Sequence, residues 1–492
     1  MAACFAPTGF EIQSFLECNK STDYLAQMLK FVSKHKHLTR HLKSPAGATL
    51  TIGNLDDTIY KEKPREVNGW GKFYLPNIVN MQVIGVVEGT SCPCDQLVLM
   101  TCEDTKVYGY DGEELHVVAA SLQELVHEGI EYPASKSYYN GEAFKNMKDK
   151  DWDKVRKGAV GRRLDEEHRK LVTTGKSNLK NFKLTCGREE FLIEAEFFRR
   201  NALLVIKEMD KLSQGCHHVL VDEVLHSILF LGHINEPRFT PEDILCTKLN
   251  EYKGRYPRPF QCYSTQLPKR APISCVLEMI VSMTGQEEVQ VIFQRLLQLI
   301  DKLKEGETKH LVSNTFCVSQ PNKSPETARY YGVSMSTSGR DSGRIMVNAC
   351  CLSRYWDSYV ADAVMTYNPN KQKKTYFDAT IKLPNEVKCQ AFGFSEEMTE
   401  MPPCKSCSNL FGLTTSSTRI WPYGNCAEPE SLSNLLRNEK EVKEKSEPKS
   451  KTCTDENRRR AEDSVWKETE RMLREKLSDR YEYGRQFYTP QV

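Results

Sequence analysis

What most limits how this chain can fold is a change of hydrophobic period along its length. Up to about residue 145, short apolar runs occur at residues 49–52, 81–87, 96–101, 106–110 and 114–118. Short runs of this kind predict strands, with successive side chains on opposite faces. Asp111-Gly112 between the last two runs predicts a tight hairpin. From 187 to 305 the period becomes that of a helix. Phe191, Ala195, Phe198, Ala202, Val205 and Met209 share one face, as do Val289, Ile292, Leu296, Leu299 and Leu303. Pro237, Pro241, Pro257, Pro259 and Pro268 divide the region between them into shorter elements.

At 492 residues the chain has room for several domains. The expected class is α/β and multi-domain. An α+β domain spans 1–145 and includes a helix after the cap Ser21-Thr22-Asp23 and another at 121–127. A basic linker or helix follows at 146–186. Residues 145–183 hold thirteen lysines and arginines against six acids. That charge could meet phosphates, or simply solvate a linker. A helical region covers 187–308. A mixed α/β domain covers 309–437, with strands expected at 330–335, 344–347, 375–381, 387–392 and 419–421. Helices are expected there at 356–365, 404–411 and 426–436. Sixteen of the 26 residues at 437–462 are charged, which predicts a disordered or extended linker at 438–461. A helical tail at 462–492 presents Trp466, Leu473, Leu477 and Tyr481 on one face, to dock on the body or on a partner.

Net charge is only +2, so the whole-molecule field does not point to nucleic acid. The stretch Met1 to Pro7 lacks the basic and apolar regions of a signal peptide, and no apolar run is long enough to span a bilayer. A cytoplasmic or nuclear protein without a membrane is expected. In that setting eighteen cysteines imply free thiols or metal ligands rather than a disulfide framework.

Two cysteine motifs carry chemistry. Pro403-Cys404-Lys405-Ser406-Cys407 offers two thiolates at metal-ligand spacing on one turn. Gly424-Asn425-Cys426-Ala427-Glu428-Pro429 adds a third thiolate two residues before a carboxylate, with Pro429 suited to a first helical turn. Hydrolytic deamination needs hydroxide at neutral pH, which zinc provides by acidifying water. Three ligands leave one coordination position open, and a nearby non-ligating carboxylate shuttles protons. Cys404, Cys407 and Cys426 could be those ligands, and Glu428 the shuttle.

These motifs resemble the two half-signatures of the cytidine deaminase-like superfamily, P-C-x-x-C and C-x-E, in its all-cysteine form. The resemblance covers about 120 residues, from near Lys309 to Arg437. It implies a sheet flanked by helices, zinc, and a nucleobase or nucleoside substrate, free or in a polynucleotide, with catalysis intact or degenerate. The order is reversed: here C-x-E follows P-C-x-x-C.

A different class of protein fits the same cysteines. With Cys389 as a fourth ligand, the spacing C-x14-C-x2-C-x18-C suits a closed structural zinc site. Glu428 would then only complement a helix dipole. The protein would be a non-enzymatic interaction protein, binding partners through its helical middle or tail.

Other groupings read as structural. Thr174-Gly175-Lys176-Ser177 lacks the upstream glycine of a phosphate loop. Cys216-His217-His218, Asp222, His226 and His233 lie among apolar helix residues. Cys92-Pro93-Cys94 with Cys102 suits a turn entering a strand. Ser338 and Ser342 have no histidine nearby in the sequence.

Overall fold

The computed structural model describes the whole chain except residues 1–11, 19–22, 95, 180–181, 183–186, 214–217, 307, 322–327 and 491–492. Ser21, Thr22, Cys216 and His217, and the Met1 to Pro7 stretch, lie outside the described residues. The chain divides into two compact units. The first comprises the chain up to Lys148 with short segments ending at Phe191 and Ile420; the second comprises the rest.

The first unit is a seven-stranded antiparallel meander. Its strands are β1 (Thr39–His41), β2 (Thr49–Ile52), β3 (Gln82–Glu88), β4 (Leu97–Thr101), β5 (Val107–Tyr110), β6 (Glu114–Ala119) and β7 (Ser137–Tyr139), adjacent in chain order. The expected hairpin joins β5 to β6. Gly112 supplies a φ of +94° there, and the Asp111 carboxylate accepts the N–H groups of Glu113 and Glu114. Every residue of β4 and β5 is buried because both sheet faces are covered. Met28 and Val32 of the helix Tyr24–Lys34 join Leu99 and Val107 on one face. On the other, Tyr60, Trp70 and Tyr110 pack with ring centroids 5.3–5.4 Å apart. Asp23 makes no capping hydrogen bond, whereas Ser121 accepts the Glu124 N–H to start the helix Leu122–His127.

The second unit opens with the helices Asp149–Arg156 and Ala159–Thr174, which occupy the basic 146–186 stretch. Long helices follow at Gly187–Ser213, His218–Ile234, Pro272–Thr284 and Val289–Lys304. Two of these prolines, Pro241 and Pro257, start helices rather than merely interrupt them, as does Pro272. The next layer is a four-stranded antiparallel sheet in the order β11-β10-β8-β9: β8 (Thr315–Pro321), β9 (Tyr330–Val333), β10 (Val387–Gly393) and β11 (Glu400–Met401). Phe316 packs on Phe293 of the helix Val289–Lys304 on one face, with ring centroids 5.7 Å apart. Ser319, one step out of phase with Val318, meets Ser431 of the helix Glu428–Asn438 on the other, at 2.7 Å.

Three strand expectations past residue 309 do not hold. Residues 344–347 lie inside the helix Arg340–Leu352, where Ile345, Met346, Ala349 and Cys350 are buried. A run of three apolar residues is too short to tell a strand from a buried helix. Residues 375–381 and 419–421 form no strand. Instead, the N–H groups of Ile381 and Leu383 bond the carbonyls of Leu410 and Phe411, satisfying the end of the helix Lys405–Phe411.

The charged 438–461 stretch is folded rather than extended. A helix Lys440–Lys445 buries Val442, and the helix Asp455–Leu477 begins inside the stretch. Ion pairs to buried acids offset its lack of apolar residues: Lys443 to Asp357 and Arg458 to Asp362, each at 2.6 Å. The tail docks on the body. Met472, Leu473 and Leu477 enter the same core as Val224, Ile280, Phe293 and Phe316. Beyond them, Tyr488 donates its N–H to Leu267 and stacks on His226 at 3.8 Å.

Leu477 is fully buried in that shared core. Leu477→Ala should cost about 2–5 kcal/mol in urea unfolding of the full chain. A loss below about 0.5 kcal/mol would mean the tail contributes little to the core.

Candidate metal and carboxylate site

Each half of the site is set by local chemistry. Cys404 sits in extended backbone directly before the helix Lys405–Phe411, so Cys407 comes round on its first turn. Gly412, at φ +69°, ends that helix. The chain returns through an irregular segment anchored by Ser406, which donates to the Trp421 carbonyl at 2.6 Å, and by Asn409, which donates to the Tyr423 hydroxyl at 2.9 Å. Gly424 adopts φ +94°, and a Cβ there would lie 2.6 Å from Val347, so only glycine fits the turn. The Asn425 carbonyl accepts the Met335 N–H just past β9. Cys426 then arrives two residues before the helix Glu428–Asn438, with Pro429 in its first turn.

These two connections bring Cys404, Cys407 and Cys426 together, with all three sulfurs within 4.8 Å of one another and Cys404 Sγ 3.4 Å from Cys426 Sγ. Cys404 and Cys407 are buried and Cys426 is half-buried. Among the described residues this is the one group of three or more histidine, cysteine or acidic side chains close enough to hold a metal ion together.

The thiols share their protons unequally. Hydrogen bonds from Cys407 and then Cys426 pull the Cys404 thiol down to about 3, aided by N–H groups of the helix entry. Cys407 and Cys426 are pushed up, first by donating to Cys404. Cys404 is thus the most acidic of the three thiols, with Cys407 and Cys426 held in the opposite direction. Glu428 is buried beside it. Desolvation and the Cys404 charge raise its carboxyl to about 7, while a hydrogen bond from Cys407 acts in the opposite sense. The charge of a candidate ligand is thus felt at the candidate shuttle.

Cys389 is not in the triad. It projects from β10 with its Sγ 3.6 Å from Cys317 on β8. Cys317 is a residue that sequence spacing did not single out, because its neighbour comes from strand pairing 72 residues away. A cavity of about 410 Å³ lies against Val318, Gln320, Gln390 and Phe392, on the sheet face turned away from these thiols.

The groupings read as structural have ordinary surroundings. Gly175 caps the helix Ala159–Thr174 at φ +75°. Asp222 accepts the Tyr488 hydroxyl and His226 stacks on the same ring. Ser338 donates to Ser342 at 3.3 Å. Cys92 lies buried in the turn between β3 and β4.

The family match lies at the other end of the chain. Residues 22–137 match the family described as US22 like. That match covers the meander of the first unit and none of the triad. The chain is 29% identical over 163 residues to an uncharacterised protein of Frog virus 3 (isolate Goorha), covering 31% of this chain and 78% of the relative. It is 30% identical over 95 residues to an uncharacterised gene product of Gallid herpesvirus 2, covering 19% of this chain and 53% of the relative. It is 32% identical over 82 residues to an uncharacterised protein of Fowlpox virus, covering 16% and 59%. No solved structure matches the chain. Among the described residues, no helix is long and apolar enough to cross a membrane.

A contact between helix and strand positions the second half of the site. A Cβ on Gly332 of β9 would lie 2.4 Å from both the Ala427 carbonyl and the Ser431 nitrogen. Gly332→Ala should therefore push that helix away from the strand and weaken binding of a thiophilic probe ion such as Cd²⁺ about tenfold or more. Thiolate charge-transfer absorbance reads this; unchanged Cd²⁺ affinity would mean that the close approach does not set the triad.

Proposed function

We propose that the triad is a zinc site of the deaminase type, with Cys404, Cys407 and Cys426 as ligands and Glu428 as proton shuttle. One observation supports it above all: three thiols from two helix starts lie within 4.8 Å of one another, with a buried carboxylate two residues after one of them. The donor set suits zinc. Thiolates bound at about 2.3 Å in a tetrahedron stand about 3.8 Å apart, close to the 3.4 Å between Cys404 and Cys426. When bound, zinc would supply the Lewis acidity that makes hydroxide available near neutral pH. Glu428 accepts a proton from the attacking water and returns one to the leaving amine, so a ring carbon exchanges its amine for oxygen and ammonia departs. The reversed order of the two motifs does not bar this chemistry, because relative geometry decides it. The substrate class is a nucleobase or nucleoside, free or in a polynucleotide.

A second reading draws on the burial of the site. Cys407 is 1% exposed and Glu428 4%, which suits a structural metal in a non-enzymatic protein. Such a site needs a fourth ligand other than Cys389, whose thiol lies against Cys317.

Metal analysis of the full chain should return about one zinc per molecule, lost in Cys426→Ser and kept in Glu428→Gln. Ammonia release from a panel of cytosine, cytidine, adenosine and single-stranded DNA and RNA should fall about 10²- to 10⁴-fold in Glu428→Gln. Zinc retained by Cys426→Ser would sink the ligand assignment. Zinc without ammonia from any substrate would favour the structural reading.

A further inference from the structure

The second thiol pair has its own geometry. In the β8–β10 ladder Cys389 is opposite Ser319, and Cys317 is opposite Ala391. Cys317 and Cys389 are thus diagonal neighbours on one sheet face, with their sulfurs 3.6 Å apart. Cys317 is completely buried, while Cys389 is half-buried. Among the described residues no third histidine, cysteine or acid joins them at metal-ligand distance. A two-thiol site with one member reachable from solvent and the other directly behind it suits thiol–disulfide exchange better than metal binding.

We propose that Cys389 and Cys317 form a reversible thiol–disulfide pair, with Cys389 as the attacking thiol and Cys317 as the resolving one, and a low-molecular-weight disulfide as oxidant. In the first step the Cys389 thiolate, having lost its proton to water, attacks one sulfur of the disulfide. The S–S bond breaks, a mixed disulfide forms on Cys389, and the first small thiolate leaves and takes up a proton. In the second step Cys317 attacks Cys389 Sγ and expels the second small thiolate, which takes up the Cys317 proton as it leaves. The two protein thiols are oxidised to one disulfide, and the small disulfide is reduced to two thiols. The order follows from access, since Cys317 has no exposed surface for a reagent of that size.

The bridge would be felt by the neighbouring helix. Diagonal residues in an antiparallel pair ordinarily have Cα atoms about 7–8 Å apart, whereas a disulfide spans about 4.4–6.8 Å. Closure therefore draws β8 and β10 together locally. Ser319, opposite Cys389 and two residues from Cys317 on the same face, contacts Ser431 of the helix that begins at Glu428. This reactivity needs no metal and does not depend on the deaminase reading.

The full-length protein is equilibrated in glutathione buffers from reducing to oxidising, alkylated, digested and analysed by mass spectrometry. The expected product is a linked peptide joining Cys317 to Cys389, lighter by two hydrogens and lost on treatment with dithiothreitol. Cys317→Ala or Cys317→Ser should trap glutathione on Cys389, because the resolving thiol is gone. Cys389→Ser, at the half-exposed strand position, should leave Cys317 unmodified. Glutathione accumulating on Cys389 equally in the wild type and in Cys317→Ala would overturn the proposal. So would a linked peptide joining Cys389 to Cys404, Cys407 or Cys426, or no reaction at either thiol.

Discussion

The second unit depends most on the close approach of the helix Glu428–Asn438 to the backbone of β9. Gly332 permits that approach by having no side chain. A buried polar chain then holds the register. Glu430 accepts the Val333 N–H at 3.0 Å and the Tyr355 hydroxyl at 3.1 Å. Tyr355 in turn accepts from Arg270, whose guanidinium forms a two-bond pair with Glu223. Buried charges of this kind cost several kcal/mol each when left unpaired, so the network tolerates few arrangements. Cys426 and Glu428 inherit their position from this contact, two to four residues before Glu430.

The same network explains why the second unit cannot be cut at the changes of hydrophobic period. Glu223 and Arg270 belong to the helical middle, while Tyr355 and Glu430 belong to the sheet-bearing part. Apolar packing follows the same path, since one core runs from Leu171 to Tyr483 and includes both parts and the tail. The tail's Leu473 and Leu477 lie within this core.

Much of the architecture was legible because local rules act without help from elsewhere. The β5–β6 hairpin follows from Asp111-Gly112, and the long helices follow from a sustained 3.6-residue period. Legibility failed where the run was short or the partner distant. Residues 344–347 have too few residues to show a period. Residues 375–381 join no ladder, and Ile381 bonds to a helix end rather than to a strand. The charged stretch after Arg437 shows no apolar pattern because Asp357 and Asp362, far back in the chain, supply its partners.

The candidate site divides along the same line. Sequence alone determined which residues could act together: a Cys-x-x-Cys at one helix start, and a cysteine two residues before a glutamate at another. Those are local spacings, and helix geometry turns them directly into proximity. Only the tertiary structure decided which cysteines share a site. Cys404, Cys407 and Cys426 meet because two glycine turns and the helix–strand contact bring two helix starts together. Cys389 goes instead to Cys317, because β8 and β10 pair in a register that no spacing along the chain encodes. Strand pairing is a long-range choice made by the whole core, and therefore only the fold could distinguish a cluster of three cysteines from one of four.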